Sequence, residues 1–401
     1  NMDSIQRKSF SDVGYDEALR RAESLIPLLQ QHAGESERLT HMAPAVLTAF
    51  HESGLFRYMQ PRRWGGMELD FVAVFDIPEM LGRGDASAAW TFTNLSAHHR
   101  LLALWDPKAQ EEIWGDNPDM LIASGIAFAQ GSAVKVDGGY RINGRWGFSS
   151  GVDVSTWNML ACRVLDGEKV VDYRMCLVPL PDFEIIDDWQ TLGMRGTGSR
   201  TVQCKDVFVP EHRAVSMHTQ RPGFEYPGWK VNTAAQYRIP LSGFGGTGIG
   251  GSMIGNARAM LDAAIAMVKS RSTAYTGAKM RDFQTVQLRI GMAGAKIDAA
   301  RLLLRTDCIE AQRILEAGAT VDIPTRLRYK RNSSAGVKLV LEAVDSLFEM
   351  AGANGIYDHA PLQRMYRDAH AGGAHINFNC DVNLPPWALV SLGGEFKSPT
   401  L

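Results

Sequence analysis

Tyr140-Arg141-Ile142-Asn143-Gly144-Arg145-Trp146-Gly147-Phe148-Ser149-Ser150-Gly151 is the most informative stretch of this chain. It follows Ala133-Val134-Lys135-Val136 and the turn Asp137-Gly138-Gly139, so it reads as the second arm of a hairpin. Trp146 and Phe148 stand two apart and are expected on one face of the strand, with hydroxyls at its end. One reading is a core strand that ends in a Ser-Gly turn. The other is an aromatic wall for a planar cofactor, with a hydroxyl at its edge.

Around this hairpin the apolar period stays at 2. Further strands are expected over Trp157 to Arg163, Arg174 to Val178, Phe183 to Ile186 and Thr201 to Val209. Short strands between turn signals predict a small antiparallel barrel or sandwich. On both sides the period is helical. Upstream, Ala18, Leu19, Ala22, Leu25 and Ile26 recur at a spacing of three to four. Downstream, amphipathic stretches run over Ile254 to Ser270, Gln284 to Glu316 and Asn332 to Ala351, with a tail near Leu362 to Ala371. The expected fold class is α+β and mainly helical. Its expected domains are an N-terminal helical domain over residues 1–119, a central β-barrel over 120–228 and a C-terminal helical bundle over 229–401.

Composition narrows the function classes. The chain has 401 residues, 45% of them hydrophobic, and a formal charge of -2. That supports a large core and argues against bulk electrostatic binding of nucleic acid. No run reaches the roughly 18 apolar residues of a membrane span. The polar start, Asn1-Met2-Asp3-Ser4, has no apolar signal segment behind it, and a cytoplasmic location is expected. Five widely spaced cysteines, with no C-x-x-C, predict neither a disulfide framework nor a metal site.

Gly243-Phe244-Gly245-Gly246-Thr247-Gly248 fits G-x-G-x-x-G, but Ile239-Pro240 precedes it and no parallel-sheet pattern follows. A Gly-rich, closely packed helix entry is the better reading. Phosphate-loop, zinc-protease and nucleophile-elbow motifs are missing from the sequence. The loop Trp189 to Ser199 packs three glycines and one arginine into a tight polar turn and could line a pocket.

Together these segments resemble the acyl-CoA dehydrogenase superfamily over nearly the whole chain. Tyr140 to Gly151 matches its "Y-x-x-N-G" strand in part. Leu192 to Thr197 and Asp206-Val207-Phe208-Val209-Pro210 match its second motif. Gly352-Ala353-Asn354-Gly355, Pro361, Arg364 and Arg367-Asp368-Ala369 match its third. Many of its dehydrogenases carry a glutamate base nine residues after the arginine of "R-D-A"; here that position is Ile376, which cannot take a proton. The pattern is instead similar to the oxygenase components of two-component flavin monooxygenases, of the 4-hydroxyphenylacetate 3-hydroxylase type. That branch shows Gly144-Arg145-Trp146-Gly147-Phe148-Ser149-Ser150-Gly151, a His eight residues after a Trp (Trp90 and His98), and a histidine after "R-D" (His375).

The resemblance implies a homotetramer that receives reduced FMN or FAD from a separate NAD(P)H:flavin reductase. It implies hydroxylation of a small aromatic substrate, phenolic or indole-like, by O₂ through a C4a-hydroperoxyflavin. By the same resemblance Ser150 reaches flavin N5 and Ser124 the pyrimidine edge. Trp146 and Phe148 pack on the ring, and Arg271 takes the flavin phosphate. His98 binds or deprotonates a phenol, with a pKa suited to that near neutrality, and His375 serves the oxygen being transferred. The alternatives are an S- or N-oxygenase of the same fold and an acyl-CoA dehydrogenase.

Overall fold

The computed structural model describes residues 8–401; residues 1–7, which carry the polar start, lie outside them. Five helices come first: α1 (Tyr15–Leu39), α2 (Pro44–Ser53), α3 (Ala73–Gly82), α4 (Ala86–Leu102) and α5 (Pro107–Trp114). The start of α4 is fixed by Asp85, whose carboxylate accepts the N–H groups of Ser87 and Ala88. Asp106 caps α5 in the same way, and Pro107 fills its first position.

Eight strands follow: β1 (Ile122–Gly125), β2 (Gly131–Val136), β3 (Gly139–Ser149), β4 (Trp157–Asp166), β5 (Lys169–Pro179), β6 (Glu184–Ile186), β7 (Arg200–Pro210) and β8 (Ala214–Ser216). They form one sheet in the order β6-β7-β3-β2-β4-β5-β8, with β1 also on β4. The β2–β3 hairpin turns through Asp137 and Gly138, as the sequence predicts. The sheet is mixed rather than antiparallel throughout, because β1 and β2 both run parallel to β4. Its curved interior holds Ile142, Trp146, Leu160, Cys162, Cys176 and Val202.

The chain then returns to helix: α6 (Thr247–Ser270), α7 (Gln284–Glu316), α8 (Ile323–Glu349), α9 (Gln363–Gly373), and the short α10 (Cys380–Asn383) and α11 (Pro385–Ser391). The Gly-rich run is not a nucleotide loop; Gly243 to Gly246 form the turn that leads into α6, and Gly248, Gly250 and Gly251 continue into its first turns. A Cβ on Gly255 would lie 2.1 Å from the carbonyl oxygen of Glu79, so α6 and α3 cross backbone to backbone. The earlier start of α8 follows from Asp322, which accepts the N–H of Thr325.

The helices before and after the sheet share one core. Phe50, Phe75 and Phe92 pack in the same apolar cluster as Met253, Leu304 and Val340. Among the described residues no helix is long and apolar enough to cross a membrane.

Candidate active site

The end of β3 decides what the site offers. Trp146 pairs with Val202 and Ser149 with Arg200, so β3 has one residue more than β7 across this interval. That bulge breaks the alternation. Phe148 takes a left-handed φ of 59° and turns outward, 75% exposed. Trp146 is wholly buried, and its indole N–H donates to the carbonyl oxygen of Ala161 at 2.8 Å. The two rings therefore do not share a face. Trp146 is a core residue of the sheet with no surface for a cofactor, which corrects its place among the expected cofactor contacts. Phe148 keeps an open face and meets Trp189 edge-on, ring centroids 6.0 Å apart.

Helix α4 lies across this strand end. A Cβ on Gly151 would stand 3.0 Å from Thr91 and 3.1 Å from Leu95, and Gly151 itself has a φ of 75°. Only glycine gives both the turn and the contact. His98 follows one turn after Leu95 and is buried. Its Nδ1 is hydrogen-bonded to the carbonyl oxygen of Ile122 in β1. A carbonyl cannot donate, so Nδ1 carries the proton and Nε2 is a bare acceptor. Burial lowers the pKa of this ring to about 4, against the backbone bond, which raises it. His98 is thus neutral at pH 7, and its pKa is well below the near-neutral value that the sequence suggested. Ser124 lies two residues beyond Ile122 on the same face of β1, half-buried. Its hydroxyl forms no hydrogen bond among the described residues.

His375 has the opposite tautomer. It caps the turn Ile376–Phe378, and its Nδ1 accepts the backbone N–H of Asn377 at 3.1 Å. The proton therefore sits on Nε2, which is a donor. Burial lowers this ring also to about 4. Trp90 of α4 meets it edge-on, centroids 5.7 Å apart. Trp90, a spacing marker in the sequence, thus packs directly against His375. His99 points elsewhere: it stacks on Trp114 and accepts that indole N–H at 2.9 Å, a structural role.

Ser150 is buried, its hydroxyl 2.6 Å from that of Ser199. Two buried polar atoms flank this turn without partners: Thr91 Oγ1, and Oδ1 of Asn158, whose Nδ2 donates to Ser149. The loop Leu192 to Ser199 is held from α9, where Asp368 accepts the N–H of Met194 at 2.7 Å. Burial, with Asp85 beside it, raises the Asp368 carboxyl to about 7. Sequence reading missed Asp368, Thr197 and Ser199 as parts of the site, although "R-D-A" and the alternating hydroxyls of the loop were visible.

Arg271 is not brought to this site by its own chain. It ends α6, about 35 Å along the helix from Gly248, which packs on Thr93 of α4. Its guanidinium touches only the carbonyl oxygen of Ala351, at 3.4 Å, among the described residues.

An open aromatic face, hydroxyls at its edge and unpaired buried polar atoms fit a planar heteroaromatic cofactor with polar edges. Known proteins agree. Residues 247–380 match the family model "Acyl-CoA dehydrogenase, C-terminal domain". The chain is 35% identical over 383 residues to the flavin-dependent monooxygenase oxygenase subunit HsaA of Rhodococcus jostii (strain RHA1), covering 95% of this chain and 98% of that one. It is 30% identical over 379 residues to the oxygenase component of p-hydroxyphenylacetate 3-hydroxylase of Acinetobacter baumannii, covering 92% and 88%. The crystal structure of 3-HSA hydroxylase from Rhodococcus sp. RHA1 superposes with a TM-score of 0.91 at 33% identity, covering 96% of this chain and 99% of that one. With the acyl-CoA dehydrogenase fold, an isoleucine where its dehydrogenases hold their base, and this likeness from end to end, the chain belongs to the oxygenase components of the flavin-dependent monooxygenases.

Proposed function

We propose that this oxygenase hydroxylates a small phenolic or indole-like aromatic, using reduced FMN or FAD supplied by a separate NAD(P)H:flavin reductase and O₂ as co-substrate. The opposite tautomers of His98 and His375 carry the reading: one bare acceptor and one fixed donor, both neutral, His98 buried and His375 half-buried. A phenol hydroxyl donates to His98 Nε2. An imidazole with a pKa near 4 does not take the proton of a resting phenol, whose own pKa is about 10. It shares the proton, and takes more of it as the ring gives up electron density to an electrophilic oxygen. His375 Nε2–H donates to the oxygen being transferred or released.

Reduced flavin together with O₂ supplies the oxidising power when bound. Phe148 packs on its ring, Ser150 meets N5 and Ser124 the pyrimidine edge. Thr91 and Leu95, closed against Gly151, keep water from that edge. Ile376, exposed beside His375, offers no base for dehydrogenation of an acyl thioester. The relative from A. baumannii is named for a phenol, which favours the same substrate class.

The assembly is a homotetramer. Leu288, Met292 and Leu302 of α7 are 69%, 52% and 60% exposed, and with Ala295 and Ala299 they form one apolar stripe at helical spacing. A second copy covers that stripe and brings its Arg271 to the flavin phosphate of this one. The enzyme works in the cytoplasm, and its chain divides into residues 1–119, 120–228 and 229–401. The test supplies chemically reduced FMN or FAD and O₂ to the protein with panels of phenols, indoles and thioethers. Hydroxylated phenol or indole is expected; oxidation of the thioethers alone contradicts the assignment.

A further inference from the structure

Three hydroxyls run inward from the β3 turn. Ser150 Oγ lies 2.6 Å from Ser199 Oγ, Ser199 Oγ lies 2.6 Å from Thr197 Oγ1, and Thr197 Oγ1 lies 2.9 Å from the carbonyl oxygen of Met194. All three side chains are buried. Each hydroxyl has one proton to give. A carbonyl oxygen only accepts, so Thr197 donates to Met194. Thr197 then accepts from Ser199, and Ser199 from Ser150. The polarity of the whole relay is set by its far end.

That end is firmly held. Met194 sits at a left-handed φ of 53°, a costly conformation for a residue with a side chain. Asp368 accepts its N–H, and Trp189 donates its indole N–H to the same carbonyl at 3.1 Å.

We propose that Ser199 and Thr197 are positioning residues that commit the only Ser150 proton inward, so that Ser150 shows flavin N5 nothing but lone pairs and selects reduced over oxidised flavin. The inference rests on the assignment of Ser150 to N5 made above. Reduced flavin carries N5–H, a donor that suits this oxygen. Oxidised flavin has an acceptor at N5, which meets it lone pair to lone pair. An enzyme fed by diffusion from a reductase needs this discrimination: it captures the reduced coenzyme and releases the oxidised one. Without the relay, the Ser150 hydroxyl would rotate and serve both states.

The experiment measures dissociation constants of the full chain for FMN and FAD, oxidised and dithionite-reduced, by anaerobic ultrafiltration. The wild type prefers reduced flavin. Ser199→Ala and Thr197→Val each release the Ser150 proton. In both, oxidised flavin binds more tightly, reduced flavin more weakly, and the preference falls by about tenfold. Thr197→Ser keeps the relay and restores it. Ser150→Ala loses the preference without tightening oxidised flavin. An unchanged preference in Ser150→Ala overturns the N5 assignment itself. If Ser150→Ala changes the preference and the two relay variants do not, the relay is refuted while the N5 assignment stands. Equal weakening of both redox states in the relay variants also refutes it, since that is what a purely structural role would produce.

Discussion

His98 donates its Nδ1 proton to the carbonyl oxygen of Ile122, and that bond decides which nitrogen of the ring can work. Burial sets the pH at which it works. His98 and His375 are both lowered to about 4, so both stay neutral well below the usual histidine range. Their charge should not limit hydroxylation from about pH 6 upward, with loss setting in only as pH falls toward about 4. A single-turnover rate profile checks this. A titration near pH 6.5 that vanishes in His98→Asn would contradict it.

Trp146 and Phe148 should separate stability from binding. Trp146→Ala removes a fully buried ring and its bond to Ala161, and should cost about 3–5 kcal/mol of stability in urea unfolding. Phe148→Ala removes an exposed ring and should change stability by no more than about 0.5 kcal/mol. It should weaken flavin binding by about tenfold, the worth of one lost ring contact. Equal effects of the two changes on flavin affinity would return Trp146 to the cofactor site.

Asp368 gives a pH signature of its own. Its folded pKa of about 7 lies above the ordinary 3.8, so the stability it contributes is complete at low pH and is lost as pH rises through about 7. Asp368→Asn keeps an acceptor for the Met194 N–H and cannot ionise. Its Tm relative to wild type should therefore rise between about pH 5 and about pH 8. A difference that is flat with pH means that the carboxylate is already ionised throughout.

Arg271 ends α6, about 35 Å along the helix from the glycines that pack on α4, so by our proposal it serves the flavin of a second copy. Arg271→Ala and Ser150→Ala should each bind reduced flavin poorly. Co-refolded in equal amounts, they should regain roughly a quarter of the wild-type sites. No recovery above the separate variants would place Arg271 outside the flavin site.

The sequence was legible where pattern and local chemistry agree. The hairpin through Asp137 and Gly138, and the helix from Gln284 to Glu316, stand where the residues put them. The Gly-rich run before Ile254 reads as a closely packed helix entry and is one: its turn feeds α6, where Gly251 and Gly255 let α3 approach backbone to backbone. It was less legible where tertiary contact overrides pattern. The i, i+2 spacing of Trp146 and Phe148 promised one aromatic face, and a single bulge turned them apart. His98 and His375 were visible as histidines, but their tautomers were not. Those depend on Ile122 and Asn377, backbone groups that no side-chain motif records.

The most direct test mixes the protein with one equivalent of reduced FMN or FAD and a phenol without oxygen, then adds O₂ and measures hydroxylated product and H₂O₂ for wild type and His98→Ala. The account predicts that wild type delivers most of the oxidising equivalents into the phenol. His98→Ala should lose about 10²-fold or more in hydroxylation rate, with the electrons appearing as H₂O₂. Stoichiometric H₂O₂ and no hydroxylated product from the wild type, or full hydroxylation by His98→Ala, would contradict it.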